Sequence, residues 1–426
     1  AGNIFRGRSV GGIVVDARGV VTQITPEERA AFAKRMQQDT AKAGPGMNLP
    51  VELRKISLRG LEAALAEALA NNNDAVPEEV QYLAGIQRIQ YILVYPELND
   101  IVLAGPGEGW KVDDQGNVVG VTTGRPVLRF DDLLVALRTV EAARTEGISV
   151  SIDPTAEGRR KFQQFMQQQK VFNPMVIKGI AEALGPQQVT YTGVSADCHF
   201  ARVLVAADHR MKQLALKLES APIVGLPSYL DMLKSRRQLP GSATPRWWMA
   251  CNYGSLARSE DKLAWEIRGP GVKAMTEDEI IAADGTTEAT GREDPVAKQW
   301  ADLLTEKYVE LSKKDPIMAE LQNIMDMCVV AAVIEKEDLA GLAGSAGFPL
   351  LTDPDSKFKT EDWFAPKSMS TKCSHIKIGR NNVITASGGV AIESWDVAEK
   401  PSEVDPKIGA VRDKAAASTA GGWWWN

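Results

Sequence analysis

Histidine and cysteine are scarce in this chain: 3 and 4 residues in 426, with no CxxC pair and no HExxH. That scarcity removes the zinc-finger, metalloprotease and dithiol-redox classes, which need those ligands at fixed spacing. Basic residues are not in excess either. Lys+Arg 49 against Asp+Glu 55 leaves a net charge of −6, and no basic run is present, so a nucleic-acid partner is disfavoured. No stretch approaches the ~20 apolar residues of a membrane span; the longest apolar run, 327–334, belongs to an amphipathic helix. The chain starts at Ala1 without methionine or apolar leader, as after removal of a signal peptide or of the initiator methionine. What remains is average for a globular protein, 44% apolar and 24% charged, which excludes a disordered, collagen-like or small disulfide-framed chain.

Helix and strand signals alternate along the chain. Residues 12–21 (GIVVDARGVV) form two β-branched runs around a glycine turn, a hairpin signature. Thr25-Pro26-Glu27-Glu28 then carries an N-cap, proline at the first helical position and a capping-box glutamate, opening a helix to about Lys42. Leu58, Leu61, Leu65 and Leu69 share one face of a second helix, ended by Asn71–Asp74. Strands are expected at 90–94 and 101–104, and a further hairpin at 109–121. The pattern V-D-x-x-G-x-V occurs at 15–21 and again at 112–118. Two copies do not make a repeat protein; Asp caps its own turn and Gly supplies the positive φ. Asp131 and Asp132 sit at the positive end of a helix over 130–145. A β-α-α-β-α unit follows over 148–218, then a β-rich aromatic stretch from Trp247. A helix pair, 295–314 and 317–337, is broken at Asp315-Pro316, and short strands at 375–378, 382–386 and 390–395 close the folded part. The expected fold class is mixed α/β (α+β), in four consecutive parts: 1–147, 148–245, 246–395 and an extended tail over 396–426.

No catalytic motif is complete, and no catalytic or metal-binding residue or cofactor is assigned. Gly105–Gly109 (GPGEG) lacks the GK[ST] of a phosphate loop and reads as a turn between strands. Residues 343–347 (AGSAG) miss GxSxG by their first residue, and Ser356–Lys359 matches SxxK with no KTG after it. His199 and His209 stand nearly three turns apart on one helix, too far to share a metal, and His375 near Cys373 has no further ligand. Structural roles are expected for all three. Trp247, Trp248, Tyr253 and Trp265 could line a sugar groove with Glu266 and Glu277–Glu279 as carboxylates, though Glu277–Glu279 also fits the first turn of a helix capped by Thr276.

The segments 81–94 (QYLAGIQRIQYILV), 100–124 (DIVLAGPGEGWKVDDQGNVVGVTTG), 131–138 (DDLLVALR), 148–158 (ISVSIDPTAEG), 201–211 (ARVLVAADHRM), 225–229 (GLPSY) and 271–285 (GVKAMTEDEIIAADG) together resemble an uncharacterised family of exported planctomycete proteins known as a domain of unknown function. The resemblance implies a compact mixed fold and a location outside the cytoplasm: secreted, at the cell surface or periplasmic. It implies no catalytic residues.

Two features then matter for an exported protein. Cys198, Cys251, Cys328 and Cys373 allow three pairings, with free buried thiols as the alternative; a bridged protein would join Cys198 to Cys251, or Cys328 to Cys373. The chain ends Gly421-Gly422-Trp423-Trp424-Trp425-Asn426. Three buried tryptophans could contribute of order 11–19 kcal/mol before ordering costs. They either fold back on their own subunit or anchor on a neighbouring copy. The expectation is an exported structural protein that self-assembles into a fibre, tubule or surface lattice through Trp423, Trp424 and Trp425. Its partners would be copies of itself, with other surface proteins as further candidates; the alternatives are a polysaccharide hydrolase and a soluble binding module.

Overall fold

The computed structural model describes residues 9–71, 76–169, 174–239, 244–282, 284–415 and 422–426. With 42% of residues helical and 24% in strands, the class is mixed α/β as expected. Local signals set many boundaries. Ile13–Val15 and Val20–Gln23 pair antiparallel, and helix Pro26–Asp39 opens on the Thr25–Glu28 capping box. Both V-D-x-x-G-x-V copies turn as their residues dictate. Asp16 Oδ1 accepts from the backbone N–H of Arg18 and Val20, and Asp113 Oδ1 from those of Gln115 and Asn117. Gly19 and Gly116 take φ of 85° and 87°, which a side chain would resist.

Two large sheets hold most of the strands, and three two-stranded pairs hold others. The larger has the order Ile13–Val15, Val20–Gln23, Ser368–Ser370, Pro186–Thr192, Ile148–Pro154, Ser387–Ile392, Arg246–Asn252, Gly271–Glu277. The second runs Glu403–Val404, Ala257–Arg258, Ala264–Glu266, Tyr91–Tyr95, Asp100–Gly107, Val51–Ser57, Trp424–Trp425. Each sheet therefore draws strands from distant parts of the sequence, and one apolar core extends from Val10 to Ala398. The four consecutive parts expected from the punctuation all contribute strands to these two sheets. Loop composition marks where the chain turns and says nothing about which strands later meet.

Helix Pro316–Lys336 is the centre. Most of its residues are buried, against helices Phe130–Glu146, His199–Ala215, Pro295–Ser312 and Ser394–Glu399. By length and mean hydropathy, 1.6 over its best window, it would pass for a membrane span, yet 94% of that window is buried inside the protein. It also carries a charge. Arg88 donates to both carboxylate oxygens of Asp326, each at 2.7 Å, and the Tyr253 hydroxyl donates to Oδ1 at 2.7 Å. Asp326 is wholly buried, so its charge depends on these three donors.

Several expectations are corrected. Thr276 caps no helix: Gly271–Glu277 is a strand with Val272, Ala274 and Thr276 buried, and Glu279–Ile281 pairs with Thr287–Ala289. The period-two burial overrides the local capping signal. Strand Asp100–Gly107 carries through Gly105 and Pro106, so the turn starts only at Glu108. The stretch from 396 is not an extended tail. It forms helix Ser394–Glu399, strand Glu403–Val404 and helix Pro406–Ala415 before the last strand. Directed contacts replace apolar bulk there. Arg412 lies 4.7 Å from the Tyr95 ring centroid and donates to the Val94 carbonyl at 2.7 Å, and Arg268 pairs with Asp405 at 2.8 Å. Asn72, Asn73 and Asp74, and residues 416–421, lie outside the described residues.

Asp326→Ala is expected to cost about 3–5 kcal/mol, because it strands a buried guanidinium. Tyr253→Phe is expected to cost about 1.5–3 kcal/mol, the worth of a hydrogen bond to a charged group. Urea denaturation of the two variants against the parent measures both.

Candidate functional site

A cavity of about 340 Å³ opens at the first turns of helices Phe130–Glu146 and His199–Ala215 and is lined also by helix Pro26–Asp39. Its floor is ionisable. Asp132, in the first turn of helix Phe130–Glu146, is buried, and both its oxygens face Nδ1 of His199, at 2.9 and 3.0 Å. His199 is the first residue of helix His199–Ala215, and its ring stands edge-on to Trp363 with centroids 5.1 Å apart. Trp363 is in turn covered by the Arg202 guanidinium, 5.4 Å from its centroid. The imidazole is thus fixed on two sides. Nδ1 is engaged by the carboxylate, which leaves Nε2 as the ring nitrogen for the cavity.

Glu320, on the central helix, lines the same cavity. Its Oε2 is sealed from solvent and has no hydrogen-bond partner among the described residues. Burial pushes this carboxyl up to about 8, against the pull of Arg129 and with the repulsion of Asp132 added. Burial pushes His199 down, outweighing the attraction of Asp132. The cavity therefore holds a neutral base and a protonated acid near neutral pH, the separation that acid–base chemistry requires. Arg129 brings a cation to the lining, its guanidinium 5.9 Å from the Tyr82 ring centroid, and Arg35 and Asn323 add further donors. Among the described residues no group of three or more His, Cys, Asp and Glu side chains is placed to hold a metal ion.

Sequence reasoning passed over this site. The sequence alone marks Asp132 as a helix-dipole residue and His199 as structural, and does not distinguish Glu320. The signal was present: Asp132 falls on the face that carries Ala136, Val140 and Ala143, all buried. A carboxylate on an apolar face needs a partner, and a histidine is one of few that can supply it.

The residues that the sequence did single out are dispersed. Trp247 and Trp265 are buried in different sheets, and Tyr253 belongs to the Asp326 cluster, so they form no shared groove. Trp247 packs edge-on against Tyr229 and Trp300, at 4.9 and 5.0 Å. Glu266 pairs with Arg268. His209 lines a second cavity of about 230 Å³; its burial, with Lys212, Lys372 and Arg210 near, pushes it down to about 4. His375 is exposed while Cys373 packs beside Val383, so they share no site.

Of the alternatives that the sequence leaves open for the cysteines, the structure has free thiols at all four. Cys198 caps the His199 helix, Cys328 lies in the central helix, and Cys373 belongs to a separate small cluster around Ile180 and Leu184. Cys198 acts through its sulfur hydrogen bonds and the others pack as small apolar groups, and burial pushes Cys198 and Cys251 up to about 12, which leaves them unreactive.

The last strand is seated on its own chain. Ser57 N–H donates to the Trp423 carbonyl at 2.8 Å, and Trp424 and Trp425 pair antiparallel with Ile56 and Lys55. All three tryptophans are half-buried rather than buried, so the burial gain expected from the sequence is an upper bound.

The molecule is thus a mixed α/β protein with a polar, ionisable cavity between helix ends. Residues 150–229 match the model of a family described as a protein of unknown function (DUF1598). The match covers His199 and leaves out Asp132 and Glu320. No curated protein and no solved structure matches the chain.

Thiol titration under denaturing, non-reducing conditions is expected to give four reactive groups per chain. Two or none would show a bridge that this structure lacks.

Proposed function

We propose that the chain binds a small polar molecule in the Asp132–His199–Glu320 cavity and carries out acid–base chemistry on it. One observation carries the reading: the Glu320 side chain and an imidazole oriented by a carboxylate line one cavity. The cavity volume suits a small molecule. His199 Nε2 takes a proton from a ligand hydroxyl or a water, and Asp132 stabilises the imidazolium that forms. Glu320 gives its proton to the oxygen that leaves or gains charge, so one group gains the proton count that the other loses. Arg129 balances anionic charge on the ligand. This reading favours the hydrolase class over a purely structural one, at a different place from the tryptophan region first considered. Export from the cytoplasm rests on the family resemblance alone.

A thermal-shift screen of small hydroxylated and carboxylated compounds tests the reading. Hits are expected to raise the Tm of the parent and to lose their effect in His199→Ala and Arg129→Ala. A hit that stabilises those variants equally binds elsewhere and contradicts the reading.

The raised carboxyl also leaves a mark without ligand. A group that holds its proton more tightly when folded contributes stability that is complete below its unfolded value and disappears as pH rises through about 8. The parent is therefore expected to lose stability between about pH 5 and 8 relative to Glu320→Gln, whose amide does not titrate. Parallel melting curves for the two proteins would read this as a gap in Tm that narrows toward acid pH.

A further inference from the structure

We infer that the groove holding the last strand is a strand-addition site that accepts the same segment from a second copy of the chain. The groove is built almost wholly from residues far from the strand in sequence. Arg54 is fully buried, and its guanidinium is tied to the carbonyls of Met47, Ala84 and Leu49 at 2.9, 2.6 and 2.9 Å. Those bonds do not involve the last strand, so the cation stays in place whether or not the strand is seated. It then offers Nε to Asn426 Oδ1 at 2.9 Å, and its guanidinium lies 5.6 Å from the Trp424 ring centroid. Asn426 Nδ2 donates to the Gly46 carbonyl at 3.0 Å.

The fit is specific to this segment. Gly60 meets Trp423 so closely that a Cβ there would stand 2.6 Å from the Trp423 Cβ and 2.7 Å from its Cα. Main-chain pairing fixes direction, two side-chain contacts fix register, and one glycine admits the first tryptophan. This is recognition by strand addition, in which backbone bonds give affinity and alternate side chains give specificity.

None of these contacts depends on which chain supplies the strand. Trp425 meets the adjoining helix, through its Nε1 bond to the Ala415 carbonyl, 3.2 Å, and by packing beside Ala415 and Ile408, and a second copy presents the same groups. Residues 416–421, between that helix and the strand, are Ala-Ala-Ser-Thr-Ala-Gly. A tether this short gives the seated strand an effective concentration of order millimolar, so seating within one chain dominates in dilute solution. Exchange prevails where copies are crowded or the chain's own groove is blocked. A reciprocal exchange closes a dimer, and a one-way exchange runs head to tail.

The test separates donor from recipient. The recipient ends at Ala420, with its groove open and no strand to fill it. The donor is full-length with Gly60→Val, its strand intact and its groove obstructed; circular dichroism checks that both fold. Mixed in equal amounts, they are expected to form a 1:1 complex in sedimentation velocity, while each alone stays monomeric. Changing Trp423, Trp424 and Trp425 to Ala in the donor should abolish the complex. A second measurement avoids the donor altogether: a labelled peptide GGWWWN is expected to bind the recipient, at least tenfold more weakly the recipient carrying Gly60→Val, and the full-length parent not at all in dilute solution. Two monomers in the mixture, or a complex that survives the triple substitution, would overturn the inference, as would a peptide that binds parent and recipient alike.

Discussion

Asp326 is a full charge in the middle of an otherwise apolar helix, and the arrangement of the protein follows from keeping it satisfied. The helix brings Met325, Met327, Cys328, Val329 and Val330 into the core, each at most 2% exposed. Burial of that kind drives folding without specifying an orientation. The bidentate contact from Arg88 and the hydroxyl of Tyr253 supply the direction. They lock the helix in rotation and height against both sheets, since Tyr253 follows the last residue of strand Arg246–Asn252 and Arg88 precedes strand Tyr91–Tyr95. With the helix fixed, Glu320 and Asn323 can only face the cavity at the helix ends.

The same logic recurs at the cavity in opposite form. At Asp326 the protein supplies every donor that the carboxylate can use. At Glu320 it leaves an oxygen bare and lets burial hold the proton on. At Asp132 the carboxylate takes a single partner, an imidazole that burial keeps neutral. Three acids of the interior are therefore held in three ways according to their neighbours. The first holds the fold together; the other two form an acid and an oriented base around one space.

Much of the local structure was legible in the sequence. The Thr25 capping box, the leucine face of helix Leu58–Ala70, the break at Asp315-Pro316 and the two Asp–Gly turns all appear where the residues place them. These signals act within a few residues. Sheet order was not legible, because pairing between Val20–Gln23 and Ser368–Ser370, or between Arg246–Asn252 and Ser387–Ile392, is decided by core packing across hundreds of residues. The reading of Thr276 as a helix cap failed for the same reason: strand Arg246–Asn252 competes for that segment and wins. The candidate site was legible only in part. His199 was noticed, but its partner looked like an ordinary first-turn aspartate, and only the fold shows that Asp132 points inward. The three terminal tryptophans stand out in the sequence, but the surface that receives them, at Arg54 and Gly60 of the same chain, is visible only in the fold.

The central claim is that the cavity holds a neutral, oriented base and a protonated acid at the same pH. Imidazole and side-chain carboxyl NMR on the selectively labelled protein measures both at once. The account predicts that at pH 7 His199 is neutral, with its proton on Nδ1 toward Asp132 and none on Nε2, and that the Glu320 carboxyl carries its proton and titrates near 8. A His199 imidazolium beside an ionised Glu320 titrating in the ordinary carboxylate range would contradict it.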